Sequence, residues 1–146
     1  MPETPTITET LTDEQRVEIE RSLLSRSFRD DDALLEEGKP APGLYILQAG
    51  KLAVFKKDMG KRQQLITELE APVVVGELEL LTGDSCSASV RARGSVETQL
   101  LPADRFNELL ARGDAGAIEL MRSLARALGQ KLAAANELYV DLAIWR

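Results

Sequence analysis

The stretch Val74–Val90, VVGELELLTGDSCSASV, decides how the rest of the chain is interpreted. It opens as an apolar run, reaches a Gly-Glu-Leu step at residues 76–78 and turns at residues 82–84. Glycine lets a backbone turn or approach another group without a Cβ penalty, and the carboxylate that follows can accept several hydrogen bonds. Small hydroxyl residues then alternate toward a strand, which leaves backbone N–H groups to surround an anion. This stretch predicts a small-molecule cradle between two strands.

Composition restricts the class of protein. The chain has 146 residues, of which 44% are hydrophobic and 29% charged, as expected for one globular domain. Its net charge of −6 argues against a nucleic-acid partner. The sequence contains no histidine, so the commonest general base and the commonest metal ligand are both missing. The single cysteine excludes an internal disulfide and a multi-cysteine metal cluster.

Targeting signals are also missing from the sequence. No apolar run approaches the roughly 18 residues of a membrane span. Residues 1–10, MPETPTITET, lack the basic and apolar regions of a signal peptide, and we interpret them as a disordered leader. One cysteine suits a reducing compartment. We therefore expect a cytoplasmic protein without a membrane partner, whose folded domain covers residues 11–146.

Helix and strand signals follow one another along the chain. Thr12 and Gln15 have the spacing of a capping box, which predicts a helix from about Asp13 to Leu24. Short apolar or alternating runs recur over residues 27–101, which indicates a mostly β domain with flanking helices and a closed or sandwiched antiparallel arrangement. Glycine-bearing turns are expected at residues 37–40, 49–51, 58–60 and 82–84.

Two further helices are expected after the strands. Pro102 favours a helix start and Gly113 a helix end. A third helix is expected from about residue 114 to 145, with a heptad seam sustained over more than about three heptads. The heptad seam consists of Ile118, Met121, Ala125, Leu128, Leu132, Ala135, Tyr139 and Leu142. A second apolar strip lies beside it and consists of Leu120, Leu124, Ala127, Ala134 and Leu138. Two strips favour a homodimer through this helix; the alternative is a long core helix.

The order of these elements, together with several spaced segments, resembles the cyclic-nucleotide-binding domain family. This is the effector domain of the catabolite-activator and related bacterial regulators, and it is also found in cyclic-nucleotide-dependent kinases and channels. The segments that carry the resemblance are Glu37–Ala41, Gly43–Leu47, Gly50–Val54, Gly76–Leu81, Ser85–Val90 and Leu101–Phe106. The resemblance implies a double-stranded β-helix or jelly-roll β-roll at about residues 27–101. An N-terminal helix, a short helix and a long C-terminal helix would flank it.

The family's phosphate-binding cassette matches residues 76–90 without gaps. The resemblance implies that Gly76 lets the sugar approach, that Glu77 holds the ribose 2′-hydroxyl, and that Ser87 with nearby backbone N–H groups meets the cyclic phosphate. Asn136, on the helix that forms the lid, could contact a purine edge; the alternative is a solvated asparagine beside the seam. The candidate ligand-binding residues are Gly76, Glu77, Leu78, Ser85, Cys86, Ser87, Ser89 and Asn136.

Two residues depart from the family pattern. The family has an arginine at the position of Cys86, where it pairs with the phosphate, and cysteine has neither its charge nor its planar donor fork. Losing a charge-assisted bond to a buried anion costs on the order of 2–5 kcal/mol. Glu79 replaces a small residue and, if strand alternation continues, lies on the same side as Glu77. At about 3.3 Å per residue, Arg91 is about 13 Å from Ser87 and does not replace the arginine.

These observations predict a regulatory sensor module with the cyclic-nucleotide-binding fold and a degenerate phosphate-binding cassette. Binding of cyclic AMP or cyclic GMP is expected to be weak or absent, and a homodimer or another protein is the expected partner. The alternative is a functional cyclic mononucleotide sensor that uses Glu77, Ser87 and backbone amides. Without histidine, a P-loop or a nucleophile–base pair, no enzyme and no cofactor are expected. Because the chain stops at Arg146, where regulators carry a DNA-binding domain, we expect no DNA binding.

Overall fold

The structure is a computed structural model that describes residues 9–144. Its elements in chain order are α1 Asp13–Ser22, β1 Leu24–Phe28, β2 Ala33–Leu35, β3 Gly43–Lys57, β4 Gln63–Glu70, β5 Val73–Val75, α2 Glu77–Thr82, β6 Ser89–Pro102, α3 Ala103–Ala111 and α4 Ala115–Ile144. The expected class, mostly β with flanking helices, is confirmed. Most of the expected leader, residues 1–8, lies outside the described residues. Among residues 9–144, none of the helices combines the length and the apolar character needed to cross a bilayer.

The strands form one antiparallel sheet around β3 and β6. The path is β1-β6-β3-β4, with β2 paired to β6 and β5 paired to β3, and the sheet is not closed. In the central pair, Leu44 lies opposite Leu101 and Leu52 opposite Ala92. Inward-facing residues of this pair are fully buried, so β3 and β6 provide the platform on which the smaller strands and the helices pack.

The expected turn at residues 49–51 is wrong, because β3 runs through it. The pairing of β3 with β6 shifts register on both sides of Ala49, as in a β-bulge. Gly50 has a φ of 107°, and a Cβ there would lie 2.6 Å from the Ser95 carbonyl oxygen. This glycine therefore bends a continuous strand against its neighbour, and fewer, longer strands result than the sequence indicates.

The N-terminal elements combine a confirmed cap with a strand that sequence reasoning missed. The Thr12 N–H donates to Gln15 Oε1 at 3.0 Å, and the Gln15 N–H donates to Thr12 Oγ1 at 3.2 Å, so the capping box is present. Strand β1 begins at Leu24, which had been expected as the end of the helix. Its sequence LSRSF is mostly exposed and has no apolar alternation, and its pairing with β6 makes it a strand.

The helices pack together at one end of the sheet. Leu120 and Leu124 of α4 are 0% and 1% exposed and join a core with Ile19, Phe106 and Leu109 from α1 and α3. Beyond Leu128 every described side chain of α4 is exposed. The second apolar strip of the sequence thus packs within the chain through its first half, while the later part of the heptad seam faces away from the core.

Candidate ligand-binding site

The cassette contains a short helix where the sequence suggested an extended strand. Gly76 precedes α2 with a left-handed backbone, φ 89° and ψ 9°, and a Cβ at this position would lie 2.5 Å from the Gly43 carbonyl oxygen. Backbone geometry and the closeness of β3 therefore require glycine here, whether or not a ligand is present. Because residues 77–82 are helical, the expected strand alternation of Glu77 and Glu79 is wrong.

A cleft of about 270 Å³ lies between α2, the sheet and α4. Its wall is largely apolar and is formed by Leu35, Val54, Leu69, Val73, Val75, Val90 and Leu128. Polar groups also line it, namely those of Glu77, Glu79, Ser87 and Lys131. An apolar wall with a few convergent polar groups is typical of a small-molecule site.

Glu77 is bound to α4. Its side chain is 14% exposed, and its Oε1 lies 3.0 Å from the Nζ of Lys131. The carboxylate that the family resemblance assigns to a ribose hydroxyl therefore already has a partner within the chain. Lys131 was missed from the sequence, where it is separated from Glu77 by 54 positions. The sequence offered one indication that Lys131 faces the cassette: it follows Leu128 by three residues and therefore lies on the same helix face.

Glu79 is bound to Ser87. The Ser87 N–H donates to Glu79 Oε1 at 3.2 Å, and the Ser87 hydroxyl donates to the same oxygen at 3.4 Å. Both are donors that the resemblance assigns to a cyclic phosphate. A carboxylate of the cassette itself therefore lies where the phosphate of a ligand was expected.

Cys86 lies in the core beneath the cassette and not in the cleft lining. Cys86 is 3% exposed, and its backbone N–H donates to the Lys39 carbonyl oxygen at 2.8 Å. Burial raises the pKa of the Cys86 thiol, and the nearby charge of Glu79 raises it further. The thiol is therefore uncharged at neutral pH, which disfavours a redox-sensing role.

The other sequence-predicted residues are divided between the cleft and its surroundings. Leu78 is 45% exposed and lines the cleft. Ser89 is buried, and its hydroxyl accepts a hydrogen bond from the Glu37 N–H at 3.0 Å, so it anchors the strand end. Ser85 and Asn136 are exposed and lie outside the cleft lining. For all of them, contact with a ligand stays a prediction.

Strand β3 contributes a cation to the cassette that the sequence did not indicate. Arg91 donates to the Asp31 carbonyl oxygen, and Arg93 lies 3.8 Å from the Glu68 carboxylate, so both point elsewhere, in agreement with their distance along the strand. Lys56 of β3 instead donates to the Ser87 carbonyl oxygen at 2.6 Å. The same ammonium lies 3.8 Å from the carboxylate of Glu37. Sequence reasoning missed Lys56 because the register that brings β3 beside residue 89 is a property of the sheet.

Comparison with known proteins gives a family model and similar proteins. The model described as "Cyclic nucleotide-binding domain" matches residues 25–113. The chain is similar to a cAMP-dependent protein kinase regulatory subunit of Hypocrea atroviridis, with 32% identity over 125 residues that cover 86% of this chain and 25% of that protein. The chain thus spans about a quarter of the length of the first curated relatives it matches.

Solved structures share the fold at lower identity. The catabolite activator protein of Thermus thermophilus superposes with a TM-score of 0.77 at 23% identity, covering 95% of this chain and 62% of that chain. The regulatory subunit of a cAMP-independent protein kinase A from Trypanosoma brucei superposes with a TM-score of 0.68 at 23% identity, covering 86% and 47%. At this level of identity, structural similarity establishes the fold but does not identify a ligand.

Proposed function

Because the chain belongs to the cyclic nucleotide-binding domain family, we propose that it is a regulatory module whose cassette binds cyclic AMP and cyclic GMP weakly or not at all. The observation that carries the proposal is the pair of hydrogen bonds from Ser87 to Glu79. A ligand phosphate would have to break both bonds and would then lie beside the displaced carboxylate. Two unit charges about 4 Å apart repel by roughly 1 kcal/mol in water and roughly 4 kcal/mol at a protein surface.

The missing arginine at position 86 also weakens the binding of a ligand phosphate. Cysteine at position 86 removes a charge-assisted bond worth on the order of 2–5 kcal/mol, or about 30-fold to several-thousand-fold in affinity. The nearby ammonium groups already have acidic partners: Lys131 lies 3.0 Å from Glu77 and Lys56 lies 3.8 Å from Glu37. Neither is therefore a ready substitute for a free guanidinium.

The second candidate is a functional sensor of cyclic mononucleotides. It is favoured by Glu77, which lines the same cleft as an apolar wall that could hold a base. The fold allows both candidates, because the similar proteins include one named as a subunit of a cAMP-dependent kinase and one named as cAMP-independent. Those kinase subunits are regulatory by name, which supports a protein partner for this chain and a role other than catalysis.

We propose further that the chain forms a homodimer through α4. The proposed seam consists of Met121, Ala125, Leu128, Leu132, Ala135, Tyr139 and Leu142. Leu132, Tyr139 and Leu142 are 63%, 75% and 58% exposed, so their apolar surface is available to a second copy. Exposed residues at heptad spacing are what a coiled-coil seam requires. A cytoplasmic location and a bacterial source also stay proposals.

Calorimetric titration tests the degenerate cassette. With cyclic AMP and cyclic GMP we expect no saturable binding tighter than about 10 μM. A tighter dissociation constant that Glu77→Ala abolishes would refute the proposal and establish the sensor. Glu14→Ala removes a carboxylate from an exposed position of α1 and serves as the control.

Sedimentation equilibrium tests the dimer. We expect a concentration-dependent dimer. A chain that stays monomeric at about 100 μM would rule out a physiological seam through Leu128 and Leu132.

A further inference from the structure

We infer that the cleft takes a neutral ligand that carries neighbouring hydroxyl groups on a ring together with an apolar or aromatic group. In such a complex the carboxylate of Glu79 remains bound to Ser87 and takes the place of a ligand anion. The inference rests on the proposed function, because it requires a cassette that does not hold a phosphate.

The Glu79 carboxylate is bound to Ser87 within the cassette. The Ser87 N–H and the Ser87 hydroxyl both donate to one oxygen of the Glu79 carboxylate, at 3.2 and 3.4 Å. The carboxylate is thus held by the cassette before any ligand arrives. Replacing it by a phosphate exchanges one anion for another and leaves two negative charges where there was one. A neutral ligand avoids this cost, because it leaves both hydrogen bonds intact.

Acidic side chains outnumber basic ones in the cleft lining. Two carboxylates, Glu77 and Glu79, line it, whereas Lys131 is the one cationic side chain among the described residues of the lining. Lys131 lies 3.0 Å from Glu77, so the charges of these two residues balance each other. The negative charge of Glu79 has no cationic partner within the described part of the cleft lining. Charge complementarity at such a surface selects against anionic ligands. The same surface does not penalise an uncharged one.

The two carboxylates of the cleft can accept further hydrogen bonds. Each ionised carboxylate offers about four acceptor positions, so Glu77 and Glu79 both retain acceptor capacity after binding Lys131 and Ser87. Hydroxyl groups of a sugar-like ring are suitable donors. Val54, Val75, Val90 and Leu128 form the apolar wall of the same cleft. Acceptors and an apolar wall within one cleft of about 270 Å³ fit a ring with hydroxyls joined to a flat apolar group.

Matched pairs of probes test the inference. Adenosine and cyclic AMP, and likewise guanosine and cyclic GMP, share a base and a ribose and differ in the phosphate. By calorimetry we expect wild type to bind each nucleoside at least about tenfold more tightly than its cyclic nucleotide. Glu79→Gln keeps the shape of the side chain and removes its charge. In this variant we expect the preference to fall to about one or below, through cyclic nucleotide affinity that rises at least about tenfold.

Glu14→Gln, which removes a charge from an exposed position of α1, should leave the preference unchanged. If wild type binds neither nucleoside at about 1 mM and no cyclic nucleotide, the inference is wrong and the degenerate cassette stands. If wild type binds a cyclic nucleotide more tightly than about 10 μM, both are wrong. A preference that Glu79→Gln leaves unchanged would show that Glu79 is not its cause. The wild-type ratio decides the ligand class even if the variant does not fold.

Discussion

Two leucines on α4 allow the same substitution to be made in opposite environments. Leu124 is 1% exposed and packs in the core with Phe106 and Leu109, whereas Leu132 is 63% exposed. Leu124→Ala and Leu132→Ala remove the same atoms from the same helix. The pair therefore separates packing within one chain from packing between two chains.

The expected magnitudes follow from burial. Truncating a buried leucine removes its transfer free energy and leaves a cavity, at a cost of about 2–5 kcal/mol, so Leu124→Ala should lower the free energy of unfolding by that amount. Leu132→Ala should change the unfolding of a monomer by less than about 0.5 kcal/mol, because its side chain is mostly solvated. In the proposed dimer both copies of Leu132 become buried, at about 1.5–3 kcal/mol each, so dimer affinity should fall at least about tenfold.

Urea unfolding followed by far-UV circular dichroism, at protein concentrations below and above the dimer dissociation constant, measures both effects. Leu124→Ala should be destabilised at every concentration, and Leu132→Ala mainly at high concentration. If Leu132→Ala loses as much stability as Leu124→Ala in the dilute sample, Leu132 packs within its own chain and the burial assignment is wrong. If sedimentation shows an unchanged dissociation constant for Leu132→Ala, the seam does not pass through this residue.

The Cys86 thiol should react slowly with a disulfide reagent at neutral pH in the native state and rapidly in urea, because burial shields the sulfur and raises its pKa; equal rates would contradict its placement. Cys86→Arg alone should lower thermal stability, because the longer charged side chain must leave a core position, and should leave cyclic AMP binding weak, because Glu79 keeps its bonds to Ser87; micromolar binding would contradict this. Gly76→Ala should cost more than about 2 kcal/mol in urea unfolding, since its Cβ would meet the Gly43 carbonyl oxygen at 2.5 Å; wild-type stability would refute that contact.

The features that could be predicted from the sequence are those encoded by local patterns. The capping box at Thr12 needs two residues at a fixed spacing, and the structure has both hydrogen bonds. The fold class followed from turn glycines, apolar runs and the resemblance of several segments in order. The apolar strips of α4 were visible as well, although which strip enters the core depends on how the helix lies against α1 and α3.

The features that were missed depend on contacts distant in sequence. The segment ELELLT alternates acidic and apolar residues at its start, as a strand does, yet it is a helix that begins after the left-handed Gly76 and buries Leu80. Strand β1 is recognisable only through its pairing with β6. The partners of the cassette, Lys131 and Lys56, reach it from other elements. No local pattern could have indicated that Glu77 and Glu79 are both already bound within the chain.

The amide N–H of Ser87 reports most directly on whether the cassette holds its own carboxylate or a phosphate. In isotope-labelled wild type titrated with cyclic AMP, we expect the Ser87 amide resonance to stay unchanged up to about 1 mM, because Glu79 keeps the hydrogen bond. A saturable shift of that resonance with a dissociation constant below about 10 μM would contradict the proposed loss of phosphate recognition.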